Sequence, residues 1–518
     1  MSAARSPSRT PRLFRRVLVA NRGEIAVRVI RACRDLGIET VAVYSEADRS
    51  ALHVRLADYA VPIGPAPALE SYLVKEKILD AARRTGAEAV HPGYGFLAEN
   101  TDFSAMLAAA EITFIGPPAS AIAAMGDKVA ARQLMEKAGV PCVPGSKDII
   151  ESDAEVERFA KEIGFPVMLK AAAGGGGKGM RLVHRAEDLT SALRGVRGEA
   201  KSSFGDDRLY VEKFVERPRH IEVQVMADTF GNTVHCFERE CTLQRRHQKV
   251  VEESPSPVLR DDVRQKMGAI AVRAAEAVGY VGAGTIEFLA DPKQNFYFLE
   301  MNTRIQVEHP ITEEVTGLDL VRTQIEVAAG FPLPWKQADI TQRGHAIECR
   351  IYAEDPFNKF LPAPGTIEVL ETPSGPGIRD DGGVYEGAVV SRFYDPMISK
   401  LVAWGPDRKT AIGRMKRALA EYKVQGLTTN IPFHRWVLDH PGFLAADFDT
   451  GFIDREWKPE AAAASLSPTE RDLLLATAAV AELRASVSSS NANPAVDGGG
   501  SAPRSAWRAA ARREAVRG

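Results

Sequence analysis

The stretch from 284 to 310, GTIEFLADPKQNFYFLEMNTRIQVEHP, is the densest group of chemically able side chains in the 518-residue chain. TIEFLA and FYFLEMN flank a DPKQN turn, which is the pattern of a β-hairpin. In such a hairpin Glu287 and Glu300 stand nearly opposite one another. Counting in twos along an extended chain from Glu300 gives Asn302, Arg304, Gln306 and Glu308 on one face. Met301, Ile305 and Val307 fall on the other. A solvated strand face of mixed charge is the plain alternative. Against it, two like-charged carboxylates set close together cost stability unless a cation lies between them. Two carboxylates and an amide are oxygen ligands of the kind that hold Mg²⁺ against nucleotide phosphates. Arg304 suits a second anion nearby, and Glu308 suits a general base toward that anion.

A second candidate is KAAAGGGGKGM, Lys170 to Met180. Consecutive glycines alone suggest a flexible linker. The flanks say otherwise: PVMLKA and GMRLVH both read as strands, so the glycines lie in a strand-to-strand loop. Without a Cβ, backbone N–H groups can approach phosphate oxygens closely, and lysine adds point charge. A P-loop is excluded, because Gly179 follows Lys178 where Ser or Thr is required and position 172 is alanine. Gly174-x-Gly176-x-x-Gly179 matches the dinucleotide fingerprint in letters, but that motif must open a helix and MRLVH is β-like. A glycine-rich flap over phosphates remains. The run ERECTLQRRHQKVVEE (238–253) gathers Arg245, Arg246, His247 and Lys249 and reads equally as a basic surface patch. HAIECRIYAEDP places Arg350 on a strand, which alone carries little.

These side chains need a scaffold, and the length suggests about three domains. Between 13 and 125, RVLVAN, ETVAVYS and AEAVHPG read as strands, with helices at GEIAVRVIRACRDLG (stopped by Gly37) and KEKILDAARRTG. This is a parallel α/β unit. A second α/β region contains the glycine loop. From 346 the chain becomes β-rich, with HAIECRIYAED, GTIEVLETP, GGVYEGAVV and SKLVAWG, then a helix at RKTAIGRMKRALAEY. Near the end, Ser467, Pro468 and Glu470 form a helix start before LLLATAAVAELRA. A linker-like Ser/Gly/Ala/Pro-rich segment follows. Hydrophobic content of 45%, charged content of 26% and a net charge of -2 are those of a soluble globular protein and exclude a basic nucleic-acid or membrane field. The five scattered cysteines contain no Cys-x-x-Cys pair and fit a reducing, cytoplasmic setting. The N-terminus has five arginines and no acid up to residue 16, and it reads as a disordered basic tail.

Eight stretches together resemble one family: ANRGEIAVRVIRA, HPGYGFLAEN, MGDK, KAAAGGGGKGMR, ERECTLQRRHQKVVEE, FLEMNTRIQVEHPITE, GHAIECRIYAEDP and YDPMISKL. In this order, over about 13 to 455, they resemble the biotin carboxylase component of acyl-CoA carboxylases, an ATP-grasp enzyme. The resemblance implies an α/β and α+β protein of ATP-grasp architecture. An N-terminal parallel α/β domain would span 13–125, and an ATP-grasp domain 126–345 with a mobile lid at about 142–215. A C-terminal α+β domain would span 346–455, between a tail at 1–12 and another at 456–518. It implies an ATP site of Lys128, Lys170, the loop Gly174, Gly175, Gly176 and Gly177, Glu212, Val215, His220, Gln244 and His247, with Glu287 and Glu300 shared with the metal. Metal ligands are Glu287, Glu300 and Asn302, for Mg²⁺ or Mn²⁺. Arg304, Gln306 and Val307 hold bicarbonate, and Glu308 deprotonates it. Lys249 lies near carboxyphosphate, and Arg350 stabilises the biotin enolate. Departures are small: alanines precede the glycines where Ser is common, and CTLQ varies conservatively.

The reaction so implied is ATP- and bicarbonate-dependent carboxylation of biotin through carboxyphosphate, the first half-reaction of an acyl-CoA carboxylase. Biotin is then a substrate on a separate carrier, since the Met415-Lys416 pair falls in a helix rather than on a hairpin turn. The implied partners are the biotin carboxyl carrier protein, a carboxyltransferase subunit and a second copy in a homodimer. Nucleic acid and membrane are not among them. TRIQVEHP with ECRIYAEDP argues against another ATP-grasp ligase such as a carboxyaminoimidazole ribonucleotide synthase. Retention of Glu308 and every proposed ligand argues against a non-catalytic nucleotide-binding subunit. The final acceptor, whether acetyl-CoA, propionyl-CoA, another acyl-CoA or pyruvate, stays open.

Overall fold

The computed structural model describes residues 11–146, 150, 152–171, 180–204, 207–246, 248–459 and 476. The N-terminal tail to residue 10, the glycines 174–177, His247 and the helix expected near 473–485 lie outside the described residues, as does the side chain of Lys128. The chain divides into two units at Trp457/Lys458. Only Lys458, Pro459 and Ala476 of the second are described, so the following concerns the first.

A five-stranded parallel sheet opens the chain. Strands β1 (Arg16–Val19), β2 (Glu39–Ser45), β3 (Tyr59–Gly64), β4 (Ala89–His91) and β5 (Thr113–Phe114) run in the order β3-β2-β1-β4-β5. Val17, Leu18 and Val19 are buried because a parallel sheet is covered on both faces. The helix Gly23–Asp35 buries Ile25, Ala26, Val29, Ile30 and Cys33, and Gly37 turns the chain away at φ +70°. β3 is not evident in the sequence. It is an edge strand with Tyr59, Ala60 and Pro62 exposed, and its internal proline weakens a strand reading.

Strands β6 (Val167–Ala171), β7 (Met180–Val183) and β8 (Leu209–Lys213) form a small antiparallel sheet, order β7-β6-β8. Helices Asp153–Ile163 and Leu189–Phe204 close over it. Val156, Ala160, Leu169, Val196 and Leu209 are part of a core of its own.

The central sheet positions the chemistry. Its strands are β9 (Arg219–Ala227), β10 (Thr233–Arg245), β11 (Gln248–Ser254), β12 (Gly282–Ala290), β13 (Phe296–Asn302), β14 (His345–Tyr352), Met397–Gly405 and Ile378–Gly382. The order is β13-β12-β9-β10-β11-β14, followed by Met397–Gly405 and Ile378–Gly382. All pairs are antiparallel, so the sheet is continuous from the central region into the β-rich third region. Helix Asp261–Ala277 packs Val263, Met267, Ile270 and Ala274 into a core with Ile221, Val223, Ile286 and Phe288.

Two expectations need correction. The strand carrying Glu300 ends at Asn302, and 303–308 bends and turns into the helix His309–Thr316. Met301 belongs to the core under the central sheet, whereas Ile305 belongs to the core of helix Gly23–Asp35. The chain must bend to reach both, and Pro310 presets the helix that follows. GGVYEGAVV is likewise mostly irregular. Only its ends are strand, Gly382 closing Ile378–Gly382 and Val389–Val390 at the other side, and Gly387 between them sits at φ +91°. Among the described residues no helix is long and apolar enough to cross a membrane, and all five cysteines are free.

Candidate active site

The site is built across adjacent strands of the central sheet. On β9, Ile221, Val223 and Val225 enter apolar cores while His220, Glu222 and Gln224 alternate with them on the other face. These polar groups are buried, so each needs a partner. Arg239 on β10 supplies several. It is fully buried and uses all five N–H groups. Nε bonds Glu222, Nη1 reaches Gln224 Oε1 at 2.8 Å and Thr312 Oγ1 at 3.1 Å, and Nη2 reaches Thr285 Oγ1 at 3.0 Å and Gln306 Oε1 at 2.6 Å.

Lys249 on β11 is the hub. Its Nζ donates to Glu287 Oε1 at 2.8 Å, to Glu308 Oε1 at 2.6 Å and to Glu222. Burial alone would lower the ammonium's pKa, but Glu222, Glu287 and Glu308 raise it well above its ordinary value. The converse holds for the acids. Burial would raise Glu308, yet Lys249, Arg350 and Arg239 outweigh it and hold the carboxyl well below the usual range. Glu287 is held down against burial by Lys249 and His220. Glu287 pairs in register with Glu300 across β12 and β13, and its Oε1 also accepts from Asn302 Nδ2 at 2.8 Å and Gln306 Nε2 at 2.7 Å. Although the chain is not extended, Asn302 and Gln306 therefore still converge on one carboxylate.

Arg304 points elsewhere. Its Nε bonds Glu99 Oε2 at 2.8 Å and its Nη2 bonds Asn302 Oδ1 at 2.7 Å, while Glu99 Oε1 accepts from Thr303 N at 3.0 Å. Glu99 thus ties the loop of HPGYGFLAEN to the turn at 303–308. Fully buried Lys400 donates to Val307 O at 3.0 Å and pins the same turn from the far side. Arg350 on β14 reaches Glu308 Oε2 at 3.0 Å and Glu252 Oε1 at 2.6 Å. In the small sheet Lys170 bonds Glu212, which also accepts Arg132 Nη1 at 2.9 Å. Val215 is buried, and Gln244 Nε2 donates to Cys241 O at 2.9 Å.

The donor set fits a divalent cation. Glu287, Glu300 and Asn302 offer hard oxygens from neighbouring positions of one hairpin. His220, Glu222 and Glu287 bring ligand atoms within 4.8 Å of one another, and His220 Nε2 lies 2.9 Å from Glu287 Oε2.

Three family models tile the chain: "Biotin carboxylase, N-terminal domain" at residues 13–122, "Carbamoyl-phosphate synthase L chain, ATP binding domain" at 127–336 and "Biotin carboxylase C-terminal domain" at 348–455. The chain is 53% identical to biotin carboxylase 1 of Bacillus subtilis, over 85% of this chain and 98% of that protein. The chain belongs to the biotin carboxylase family. It is an ATP-grasp ligase with the three-part architecture of that family, and its reaction is the ATP-dependent carboxylation of biotin. The propionyl-CoA carboxylase alpha chain of Ruegeria pomeroyi is 49% identical over 91% of this chain and 73% of its own length. The biotin carboxylase domain of Hydrogenobacter thermophilus 2-oxoglutarate carboxylase, solved as a dimer with MgADP, ADP and bicarbonate, superposes with a TM-score of 0.78. It is 48% identical, over 86% of this chain and 98% of that one.

Glu222, Arg239, Glu99, Glu252 and Lys400 escaped sequence reasoning. The alternation His-Ile-Glu-Val-Gln-Val on β9 was a usable signal, since polar residues recurring at every second position of an otherwise apolar strand mark a polar face. Arg239 had no such signal, because the β9–β10 register shifts between His235 and Glu238 and breaks the period.

Proposed function

We propose that the two steps of biotin carboxylation share the Lys249 cluster, with biotin presented on a separate carrier protein. Bicarbonate, oriented by Arg304, Gln306 and the backbone of Val307, gives its proton to Glu308 and attacks the γ-phosphorus of ATP, releasing ADP. A divalent cation held by Glu287, Glu300 and Asn302 would neutralise phosphate charge. Lys128 and Lys170 meet the phosphates, and the loop 174–177 covers them from the lid at about 142–215. Glu212, Val215, His220, Gln244 and His247 line the rest of the nucleotide site. Carboxyphosphate breaks to CO₂ and phosphate, the phosphate takes the N1′ proton of biotin, and Arg350 stabilises the enolate that captures CO₂. Incoming anions draw Lys249 and Arg350 away from Glu308, and losing those cations raises its basicity.

The supporting observation is that Glu287, Glu308 and Arg350 are linked through no more than Lys249 and one carboxylate. The proposed metal ligand, base and enolate-stabilising cation thereby meet in one water-poor place, as a labile carboxyphosphate requires. Lys416 is set as a helix residue rather than a biotinyl lysine on a hairpin turn: it sits inside helix Arg408–Glu421, paired with Asp439 at 2.6 Å. We propose a homodimer and a carboxyltransferase partner, with the acyl acceptor chosen by that partner. The test is ATP turnover with and without bicarbonate and biotin. Cleavage should require bicarbonate, and biotin should trap labelled carboxylate. ATP cleavage indifferent to bicarbonate overturns the reading.

A further inference from the structure

The chemistry above gives no task to Glu252, yet this residue has an unusual setting. It is fully buried on β11. Its Oε1 lies 2.6 Å from Arg350 Nε and 2.6 Å from Arg350 Nη2, so one oxygen clamps one edge of the guanidinium. Arg350 Nη2 also meets Glu308 Oε2 at 3.0 Å. Once Glu308 takes a proton from bicarbonate it is neutral and holds Arg350 less strongly than the carboxylate does. Asn430 Nδ2 and His434 bond the carbonyl of Arg350 at 2.9 and 2.8 Å, which fixes its strand rather than its side chain.

Behind this clamp lies a second acid. Glu348 is the register partner of Glu252 across β11 and β14 and is fully buried, with both oxygens lacking a hydrogen-bond partner among the described groups. Two adjacent buried carboxylates cannot both stay ionised. Burial and the neighbouring Glu252 push Glu348 far up; burial also pushes Glu252 up, to about 7, against the pull of Arg350. Of the two acids, Glu252 is the one that ionises more readily, and its Oε1 is the oxygen beside the guanidinium.

We propose that Glu252 is the positioning residue for Arg350: it clamps one edge of the guanidinium during the biotin half-reaction, when Glu308 is engaged elsewhere, and so sets where the remaining N–H groups point. The inference rests on the reading of Arg350 as the residue that meets the biotin enolate.

The experiment compares free-biotin carboxylation with biotin-independent, bicarbonate-dependent ATP cleavage in Glu252→Ala, Glu252→Gln, Glu348→Gln and Arg350→Ala. Glu252→Ala should lower kcat/KM for biotin by about tenfold or more, the scale for losing a group that orients a functional side chain. ATP cleavage should stay within about twofold of the parent enzyme. Glu252→Gln keeps one acceptor oxygen at the same place, so it should fall between Ala and the parent, and being isosteric it tests the idea even if Ala does not fold. Glu348→Gln mimics the neutral acid and should leave both reactions unaltered. A parallel loss of both reactions in the Glu252 variants, or no loss in either, overturns the inference. If Arg350→Ala itself loses both reactions in parallel, the underlying assignment of Arg350 has failed instead.

Discussion

Glu308 is bonded by two cations at once, Lys249 at 2.6 Å and Arg350 at 3.0 Å. That pairing explains both its ionised state and the need for substrates to pull the cations away before it can act. Glu308→Gln keeps the shape and removes the base. Turnover should fall by about 10²-fold or more while ATP affinity stays near the parent value, which a turnover assay with nucleotide titration reads directly. Equal losses in both would make Glu308 structural. The hairpin residues were legible from their types and spacing: Glu287 and Glu300 are in register, and Asn302 and Gln306 meet at Glu287. The partners that hold them were not. Glu99 lies some two hundred positions away in sequence, and only folding brings it onto Arg304 and Thr303. Nothing local in HPGYGFLAEN distinguishes it from a surface acid.

At the scale of elements, the pairing of Glu99 with Arg304 is a strut between two loops, one after β4 and the other after β13. Glu99→Ala should raise the KM for bicarbonate about tenfold, the worth of one charge-assisted contact of roughly 1.4 kcal/mol. The KM for ATP should hardly move, and a matched rise in both would place the strut under the nucleotide site. The small sheet β6–β8 offers a second test. It has its own core and carries Lys170 and Glu212 bonded to one another. A nucleotide that recruits Lys170 must compete with Glu212 for it. Hydrogen exchange in β6 to β8 should therefore slow on adding a Mg-ATP analogue by more than it does in β9 to β12. Uniform or absent protection would deny this unit a closing role. Elements with a clear period, such as Gly23–Asp35, Lys75–Thr85 and the β12–β13 hairpin, were readable in the sequence. The edge strand β3 and the turn after Asn302 were not, because tertiary neighbours decide them: an exposed edge in one case, two separate cores in the other.

Across the whole molecule, the first and third regions meet at buried charge. A Cβ added to Gly383, just after the strand Ile378–Gly382, would stand 2.5 Å from the backbone nitrogen of Glu24, so this segment lies tight against the start of helix Gly23–Asp35. Glu24 is buried there, with Oε1 lacking a hydrogen-bond partner among the described groups. Burial pushes its carboxyl from the ordinary 4.5 to about 7, against the pull of Lys400 and the amide of Ile25. An acid whose folded value exceeds its unfolded value favours folding in its protonated form. Its contribution is complete below about 4.5 and is lost as the pH rises through 7. The loss is about 3–4 kcal/mol, at about 1.4 kcal/mol for each unit of difference. Glu308, Glu287 and Asp381 are shifted the opposite way and lose stability as the pH falls, so the overall profile of the parent protein mixes both trends. A comparison with Glu24→Gln removes the mixture, because those groups are common to both proteins. The variant is neutral at every pH, so its stability relative to the parent should improve by about 1–3 kcal/mol between pH 5 and pH 8. Denaturant unfolding at the two pH values measures the difference. If the gap between variant and parent is the same at both, Glu24 does not titrate in the folded protein over this range, and the junction carries a charge that burial has failed to neutralise.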